Sequence, residues 1–509
     1  MLRLEKLLNL RWGALAIALL VSAPLVFWNA VRYSLPIGYA GMYTLMSEQI
    51  AQNGFQLPMQ VPFYGPGGIP FAYPPLGLYL FALAIKLTGA TFTYLRFMPA
   101  VFSLLALVPL FLLTNELTDS ILAAAVAVLL ASAASNLNIS HIWAGGVVRA
   151  PAFGLSLVSI FFFVRVVKKF KWRDVILAGL FFGATVLTHL TYALFTAVWI
   201  AVWTLLNPRL KSWISAALVA VIGTFVAMPW VGIILARYGW GVFTGALDSH
   251  GSVGIVSNGT KVTSILPHII GNLVNAFHDP LFAFLVGLGI LVLLVKKKLN
   301  LVIVLFAMAL FLGEAERFLA TIGSILGGIG LTGTVELFHT KLKKLDRYMD
   351  ILVSTLVVLV LSTFIWLDGL AAVRIFSPQI KASTFEMTRY LRPYSPVKAT
   401  YLALLPQDEA EWLPYLMRRQ PVIAQWGSEW LGNYDQQTKL MLQARSCQKS
   451  QDLVCVENFI ESLGQSPYYL ISLRTDRRLM DALTAEGGWK LIYQNDRYLV
   501  WSYLIKSGS

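Results

Sequence analysis

"PIGYAGMYTLMSEQIAQNG", residues 36–54, follows the first strongly apolar run of the chain and is too polar to extend it. Within 39–53, Tyr39, Met42, Tyr43, Met46 and Ile50 recur at helical spacing, while Ser47, Glu48, Gln49 and Gln52 fall toward the other side. This pattern predicts a helix lying in a membrane interface, apolar stripe down and polar stripe up, broken at Asn53-Gly54. The next stretch, "LPMQVPFYGPGGIPFAYPPLG" (57–77), is so dense in Pro and Gly that a rigid, irregular segment is expected. It ends at Tyr73-Pro74-Pro75, where the chain turns back toward apolar sequence.

An interfacial helix needs a membrane, and the composition supplies one. Hydrophobic residues make up 57% of the chain and charged residues only 13%. The apolar residues come in long runs rather than stripes, which excludes a soluble globular protein. The runs fall near 12–31, 76–90, 93–113, 119–136, 149–167, 174–189, 190–207, 212–236, 280–295, 299–313, 318–334 and 349–372. The first has a long apolar core and no small-x-small cleavage site, and it is read as a retained anchor. The expected fold class is an α-helical polytopic membrane protein of about 11–13 transmembrane helices with a C-terminal soluble α/β domain.

The formal net charge of +14 could suggest nucleic acid, but its placement argues against that partner. Arg3, Lys6 and Arg11; Arg165, Lys168, Lys169, Lys171 and Arg173; Arg209 and Lys211; Lys296–Lys298; and Lys341, Lys343, Lys344 and Arg347 are short clusters beside apolar runs. That is the positive-inside pattern of a chain whose partner is the bilayer. If 76–90 and 93–113 both cross, the 165–173 cluster lands outside. If 76–90 dips in or returns, every cluster lies inside, and this count gives about 11 full spans. The N-terminus is then cytoplasmic and everything after about residue 374 lies outside, in a multi-pass protein of the cytoplasmic membrane.

This topology collects on one outer face the 32–75 loop, "NISHIWAGGVVRAP" (138–151), "THLTY" (188–192), the 237–279 loop and "GEAERF" (313–318). His, Arg, Glu and aromatic residues concentrate there, while the inner face carries mostly plain Lys and Arg, so a site at the outer surface is expected. Beyond 374 the apolar runs shorten to strand length, as in "KATYLALL", "YYLISL" and "WKLIYQNDRYLVWSY". The organisation is therefore a membrane domain over 1–373, with the first outer loop 32–75, and an extracytoplasmic α/β domain over 374–509. Cys447 and Cys455, the only cysteines, both lie in the outer domain; they either close a short disulfide loop or remain a pair of free thiols.

There is no Walker-type phosphate loop, Rossmann glycine fingerprint, CxxC pair or HExxH helix, and no internal repeat points to a transporter. A transporter also predicts charges deep in mid-span, and Lys86, near the end of its run, is the plainest found. The sequons Asn138-Ile-Ser140 and Asn258-Gly-Thr260 carry little information by themselves.

With a long first outer loop holding a helix, a Tyr-Pro-Pro-Leu entry into the next apolar segment, many spans and an outer domain, the chain resembles the GT-C class of membrane glycosyltransferases. These are relatives of the protein O-mannosyltransferases, aminoarabinose transferases and oligosaccharyltransferase catalytic subunits. The resemblance rests on "GYAGMYTLMSEQIAQNG" (38–54), "FAYPPLG" (71–77), "WAGGVVRAPAFG" (143–154), "ERF" (316–318) and "EWLPYLMRRQPVIAQWGSEW" (411–430). It implies transfer of a sugar from a polyprenyl-phosphate-linked donor to a glycan, lipid or protein acceptor at the outer membrane face. The alternative is an inactive scaffold of the same fold that binds a lipid-linked glycan or a partner protein.

Transfer at an anomeric carbon requires an activated acceptor, a stabilised oxocarbenium-like centre and a neutralised departing phosphate. Arg149, in a glycine-rich approach, suits the phosphate because a guanidinium grips two oxygens; His189 and Arg317 are further candidates. Each has a plainer reading, as an anchor at a helix end or a satisfied polar group between helices. Tyr43, Tyr73, Trp143 and Tyr192 are candidates to stack on sugar or isoprenoid, or else they belong to the interfacial aromatic belt. In the C-terminal domain, expected outside, Asp408, Glu411, Trp412, Trp426, Glu429 and Trp430 combine indole faces with carboxylates, as carbohydrate sites do, although packing alone also explains them.

The resemblance departs from its pattern at one place. The class keeps an acid, usually Asp, near the start of the first-loop helix as base or metal ligand, and Ala40 stands there. Glu48, more than two turns along, and Glu316, with Glu314 beside it, are the candidate substitutes. No carboxylate cluster has the spacing of a magnesium or manganese site, so no cofactor is expected and a divalent metal is left open.

Overall fold

The computed structural model describes residues 2–65, 67–249, 265–341 and 347–503. Asn258, Thr260, Lys343 and Lys344 lie outside the described residues. The chain begins with α1 (Leu2–Arg32), the loop helix α2 (Gly41–Gln52) and a small antiparallel pair, β1 (Gln60–Val61) and β2 (Ile69–Pro70). Then follow α3 (Leu76–Thr88), α4 (Thr91–Thr118), α5 (Ile121–Ala133), α6 (Ser135–Ile142), α7 (Gly146–Lys168), α8 (Trp172–Val186), α9 (Leu190–Leu206) and α10 (Leu210–Tyr238). The bundle is completed by α11 (Gly241–Ser249), α12 (Ile265–Ala276), α13 (Pro280–Val295), α14 (Asn300–Phe311), α15 (Glu316–Lys341) and α16 (Arg347–Arg374).

Among the described residues five helices are long and apolar enough to cross a membrane, within α1, α4, α7, α10 and α15. The number rises to seven if the bent pairs α5/α6 (65°) and α12/α13 (118°) each count as one span. The protein is thus a multi-pass membrane protein. Several apolar runs that the sequence marks as spans form shorter helices. Thus α3 has 13 residues, about 20 Å, and stops where Gly89 turns left-handed at φ 64°. That falls short of a hydrocarbon core of about 30 Å.

Local chemistry fixes the helix starts. Ser120 Oγ accepts from Ala123 N–H at the start of α5, and Asp279 Oδ1 accepts from Phe282 N–H ahead of Pro280 at the start of α13. Small residues fix the closest crossing. A Cβ on Gly289 of α13 would meet the Leu326 carbonyl oxygen of α15 at 1.9 Å, and one on Gly330 would meet that of Leu285 at 2.3 Å. Only glycine lets these two backbones touch.

The C-terminal domain holds α17 (Ala382–Tyr394), β3 (Thr400–Ala403), α18 (Gln407–Met417), β4 (Gln420–Pro421), a 3₁₀ turn (Ser428–Leu431), α19 (Tyr434–Ser450) and α20 (Leu453–Ser462). It ends with β5 (Tyr469–Leu473), α21 (Arg477–Glu486), β6 (Trp489–Gln494) and β7 (Tyr498–Tyr503). The five-stranded sheet has order β4-β3-β5-β7-β6, parallel through β5 and antiparallel after it. Alternating strand residues feed a core on each face, with Leu402, Leu470 and Trp501 on one side and Tyr401, Ile471 and Val500 on the other. Cys447 and Cys455 form a disulfide with Cα atoms 5.4 Å apart. The fully buried Glu409 is gripped by Arg497 at 2.9 and 2.5 Å and accepts from the Tyr498 hydroxyl, tying α18 to β7.

One expectation changes in character. The predicted loop helix exists, but it is covered: Thr44 and Ser47 are buried along with its apolar residues. The reason is that α2 packs against α3 on one side and α18 of the C-terminal domain on the other. Asn138, in the first sequon, is likewise buried and donates to the Ser132 carbonyl.

Candidate functional site

Ala40 occupies the N-cap of α2 and offers no side chain to the first-turn N–H groups. The acceptor arrives instead from 370 residues away. Glu411, on α18, accepts from Gly41 N–H through Oε2 at 2.8 Å and from Met42 N–H through Oε1 at 2.7 Å. Tyr64 donates its hydroxyl to the Glu411 carbonyl at 3.0 Å, and Trp412 Nε1 donates to the Gly38 carbonyl at 2.9 Å. A Cβ on Gly41 would stand 2.8 Å from the Glu411 carbonyl oxygen, so glycine is what permits this approach. Burial pushes the Glu411 carboxyl up to about 7, against the two backbone N–H groups, which pull it down.

The same end of α2 opens into a cavity of about 530 Å³ between the bundle and the C-terminal domain. The bundle contributes Arg149 from the first turn of α7, His189 at the N-cap of α9, and Glu314 and Arg317 at the start of α15. Tyr39, Met42, Tyr43 and Tyr73 come from the first loop. The outer domain contributes Gln407, Glu411, Trp426, Glu429, Trp430 and Tyr434.

Two guanidinium groups set the electrostatics. Arg149 donates through Nη2 to the Tyr39 hydroxyl, and its buried Nε has no hydrogen-bond partner. Arg317 is 8% exposed, stands 3.5 Å from Glu314 Oε2, and lies over the Tyr192 ring at 5.5 Å. Its Nε is likewise buried and unpartnered. Glu429 lies across from them on the outer-domain side with Oε2 buried and unpartnered, and burial raises its carboxyl to about 7. Burial also pushes the Tyr39 and Tyr43 hydroxyls upward, so both stay protonated and can donate. Tyr39 stacks on Trp426 with centroids 4.4 Å apart, closing one wall with aromatic faces.

Eight residues singled out from sequence meet here: Tyr43, Tyr73, Arg149, His189, Arg317, Trp426, Glu429 and Trp430. Four stand elsewhere. Trp143 is behind the wall, edge-on to Tyr39 at 6.2 Å. Tyr192 is fully buried beneath Arg317 and His189, its hydroxyl 2.6 Å from His141 Nε2. Glu316 is off the cavity, whereas its neighbour Glu314 lines it. Glu48 faces the outer domain, accepting from Tyr415 at 2.7 Å and pairing with Arg418 at 2.5 Å. Glu48→Gln is therefore expected to weaken docking of the outer domain by about 1.5–3 kcal/mol. Limited proteolysis of the variant beside the unaltered chain would check this.

Tyr39, Gln407 and Tyr434 are cavity residues that the sequence did not single out for the site, while Glu411, legible there as an acid beside Trp412 in a sugar-contact pairing, stands instead at the start of α2. The available signal was the bare N-cap at Ala40, which implies an acceptor supplied from elsewhere. Among the described residues no three His, Cys, Asp or Glu side chains converge as a metal site.

Residues 72–233, under half of the chain, match the family described as dolichyl-phosphate-mannose-protein mannosyltransferase. No curated protein sequence matches the chain. Among solved structures it is similar to the archaeal oligosaccharyltransferase AglB from Archaeoglobus fulgidus, in complex with an inhibitory peptide and a dolichol-phosphate. The TM-score is 0.65 at 15% identity, covering 91% of this chain and 69% of that one. It is also similar to ArnT from Cupriavidus metallidurans bound to undecaprenyl phosphate, with TM-score 0.57 at 14% identity and 98% of both chains covered. These identities establish a shared fold.

Proposed function

Starting from a chain that is a relative of the GT-C membrane glycosyltransferases, we propose that it transfers a sugar from a polyprenyl-phosphate-linked donor to an acceptor at the outer face of the membrane. The observation that carries this reading is the cavity in which buried, unpartnered guanidinium nitrogens of Arg149 and Arg317 face carboxyls of the outer domain. Such nitrogens have lost water without gaining a partner, a cost of about 1–3 kcal/mol each that an anionic ligand would offset. The two similar structures bind dolichol-phosphate and undecaprenyl phosphate, ligands of that chemistry.

In this reading Arg149 and Arg317 hold the phosphate of the donor, with the lipid tail running into the bilayer. As the bond from the anomeric carbon to the phosphate oxygen breaks, negative charge grows on that oxygen and is met by fixed donors in a water-poor site. Glu411 takes the proton of the acceptor hydroxyl while the new carbon–oxygen bond forms, and polyprenyl phosphate leaves. A carboxyl raised to about 7 suits a base at neutral pH, and its place at the N-terminus of α2 replaces the acid that Ala40 lacks. Tyr39, Trp426 and Trp430 supply faces for the apolar side of a sugar ring.

The full chain, purified and reconstituted in lipid, should turn over at least one of a panel of radiolabelled polyprenyl-phosphate sugars. Binding of a donor with no transfer or hydrolysis would favour the scaffold reading, in which Glu411 serves only as a helix cap. No binding of any donor would defeat both.

A further inference from the structure

The chain holds a second polar cavity that the proposed transfer does not use, at the other end of the same helix that carries Arg149. Arg149 lies in the first turn of α7 and Lys168 in its last, a rise of about 28 Å, close to the thickness of a bilayer core. Around Lys168 a cavity of about 330 Å³ is walled by Arg11 of α1, Glu116 of α4, Arg165 and Lys168 of α7, Lys169 and Lys171 of the α7–α8 connection, and Asp174 of α8. That volume is within the range of about 300–1,000 Å³ that ligand sites occupy.

The charges do not balance. Arg165 Nε stands 3.3 Å from Asp174 Oδ2, and Lys168 Nζ 3.3 Å from Glu116 Oε1. Among the described residues no carboxylate pairs with Arg11, Lys169 or Lys171, and Arg11 Nε is buried with no hydrogen-bond partner. Among the described residues, the cavity thus holds three more cations than carboxylates. Lys169 and Lys171 are exposed, but their backbone is fixed where α7 closes and α8 opens: Lys169 N–H and Asp174 N–H are bonded to the Arg165 and Lys171 carbonyls at 2.7 and 3.0 Å.

The depth of the cavity is marked by two tryptophans. Trp12, next to Arg11, is 51% exposed, and Trp172, next to Lys171, is 61% exposed. Trp12 stands near the start of the apolar part of α1 and Trp172 just past the end of α7, and large amphipathic rings left open beside the ends of such helices sit at the headgroup level. A basic pocket between helices at that level is suited to an anionic lipid headgroup.

The geometry points to a binding site for the phosphodiester of an anionic phospholipid, held by Arg11, Lys169 and Lys171 at the bundle end opposite the transfer cavity. Arg165 and Lys168 complete the cationic wall while their carboxylate partners keep it from closing. The lipid ties α1 to the α7–α8 connection, so it acts on the helix whose far end presents Arg149. The site stands whether or not the chain transfers sugar.

Native mass spectrometry of the delipidated full chain tests this, with phosphatidylglycerol, phosphatidylcholine and inorganic phosphate as separate probes. Phosphatidylglycerol should remain bound at activation energies that strip phosphatidylcholine. The triple variant Arg11→Gln, Lys169→Gln, Lys171→Gln leaves both ion pairs in place and should retain at least about fivefold less of it. The control variant Arg209→Gln, Lys297→Gln, Lys298→Gln removes equal charge elsewhere and should retain as much as the unaltered chain. Equal loss in both variants, or equal retention of phosphatidylcholine, would overturn the site. Complete displacement of the lipid by millimolar inorganic phosphate would overturn its assignment to a lipid. If the triple variant fails to fold, phosphatidylglycerol with a photoreactive headgroup reads the unaltered chain: crosslinks should fall in the peptide spanning Lys169–Lys171, and crosslinks confined elsewhere would refute the proposal.

Discussion

Arg149→Ala is expected to reduce sugar transfer by about 10²–10³-fold, the usual effect of deleting one preorganised donor to developing negative charge. The physical case rests on burial: Arg149 lines the cavity with one buried nitrogen that has no partner, which an anionic ligand would satisfy. Arg149→Lys keeps the charge but loses the planar fork, so it should recover only part of the activity. Because Arg149 also donates to Tyr39, the control is Tyr39→Phe, which removes that bond and keeps the cation. Transfer rate and donor affinity should be read together with the unfolding midpoint. An Arg149→Ala enzyme that folds and transfers at the unaltered rate would remove the phosphate role.

Glu411→Gln is expected to cost about 10²–10⁴-fold in transfer, the range for a general base. The pH profile separates this from a structural loss. Burial raises the Glu411 carboxyl to about 7, so it is protonated and unable to accept below that value. Transfer by the unaltered chain should therefore rise as pH passes through about 7, and the residual activity of Glu411→Gln should lack that limb. Tyr64→Phe loosens the same α2–α18 contact without removing the acid and should keep the limb. A limb unchanged in Glu411→Gln would instead direct attention to Glu429, which burial also raises to about 7.

The same shifts bear on stability, with a definite sign. A carboxyl raised in the folded state binds more protons folded than unfolded between its ordinary value and about 7. Stability from Glu411 and Glu429 is therefore fully present at low pH and falls as pH rises through about 7. Glu411→Gln should flatten part of that decline.

Much of the architecture was legible in order along the chain. Long apolar runs marked the bundle, strand-length runs marked the outer domain, and helical spacing over 39–53 located α2 within two residues of either end. Of the site, the residues that flank helix ends were found, because Arg149, His189 and Arg317 stand out as polar groups beside apolar runs. The acids were not. Glu48 has the right neighbours in sequence but points to Arg418, while Glu411 reaches Gly41 across 370 residues. Helical periodicity reports which side of a helix is apolar, and it cannot report what will cover the polar side.

The sequence by itself determined a polytopic helical protein with a C-terminal α/β domain and an alanine, Ala40, near the start of the first-loop helix. These follow from hydropathy and spacing, which act over a few residues. Only the tertiary structure decided that the C-terminal domain folds back onto α2, that Glu411 fills the place Ala40 leaves open, and that Arg149 and Arg317 share one cavity with it. Those pairings depend on long-range packing of a covered helix, where burial leaves backbone donors needing a partner from whichever segment comes to lie there.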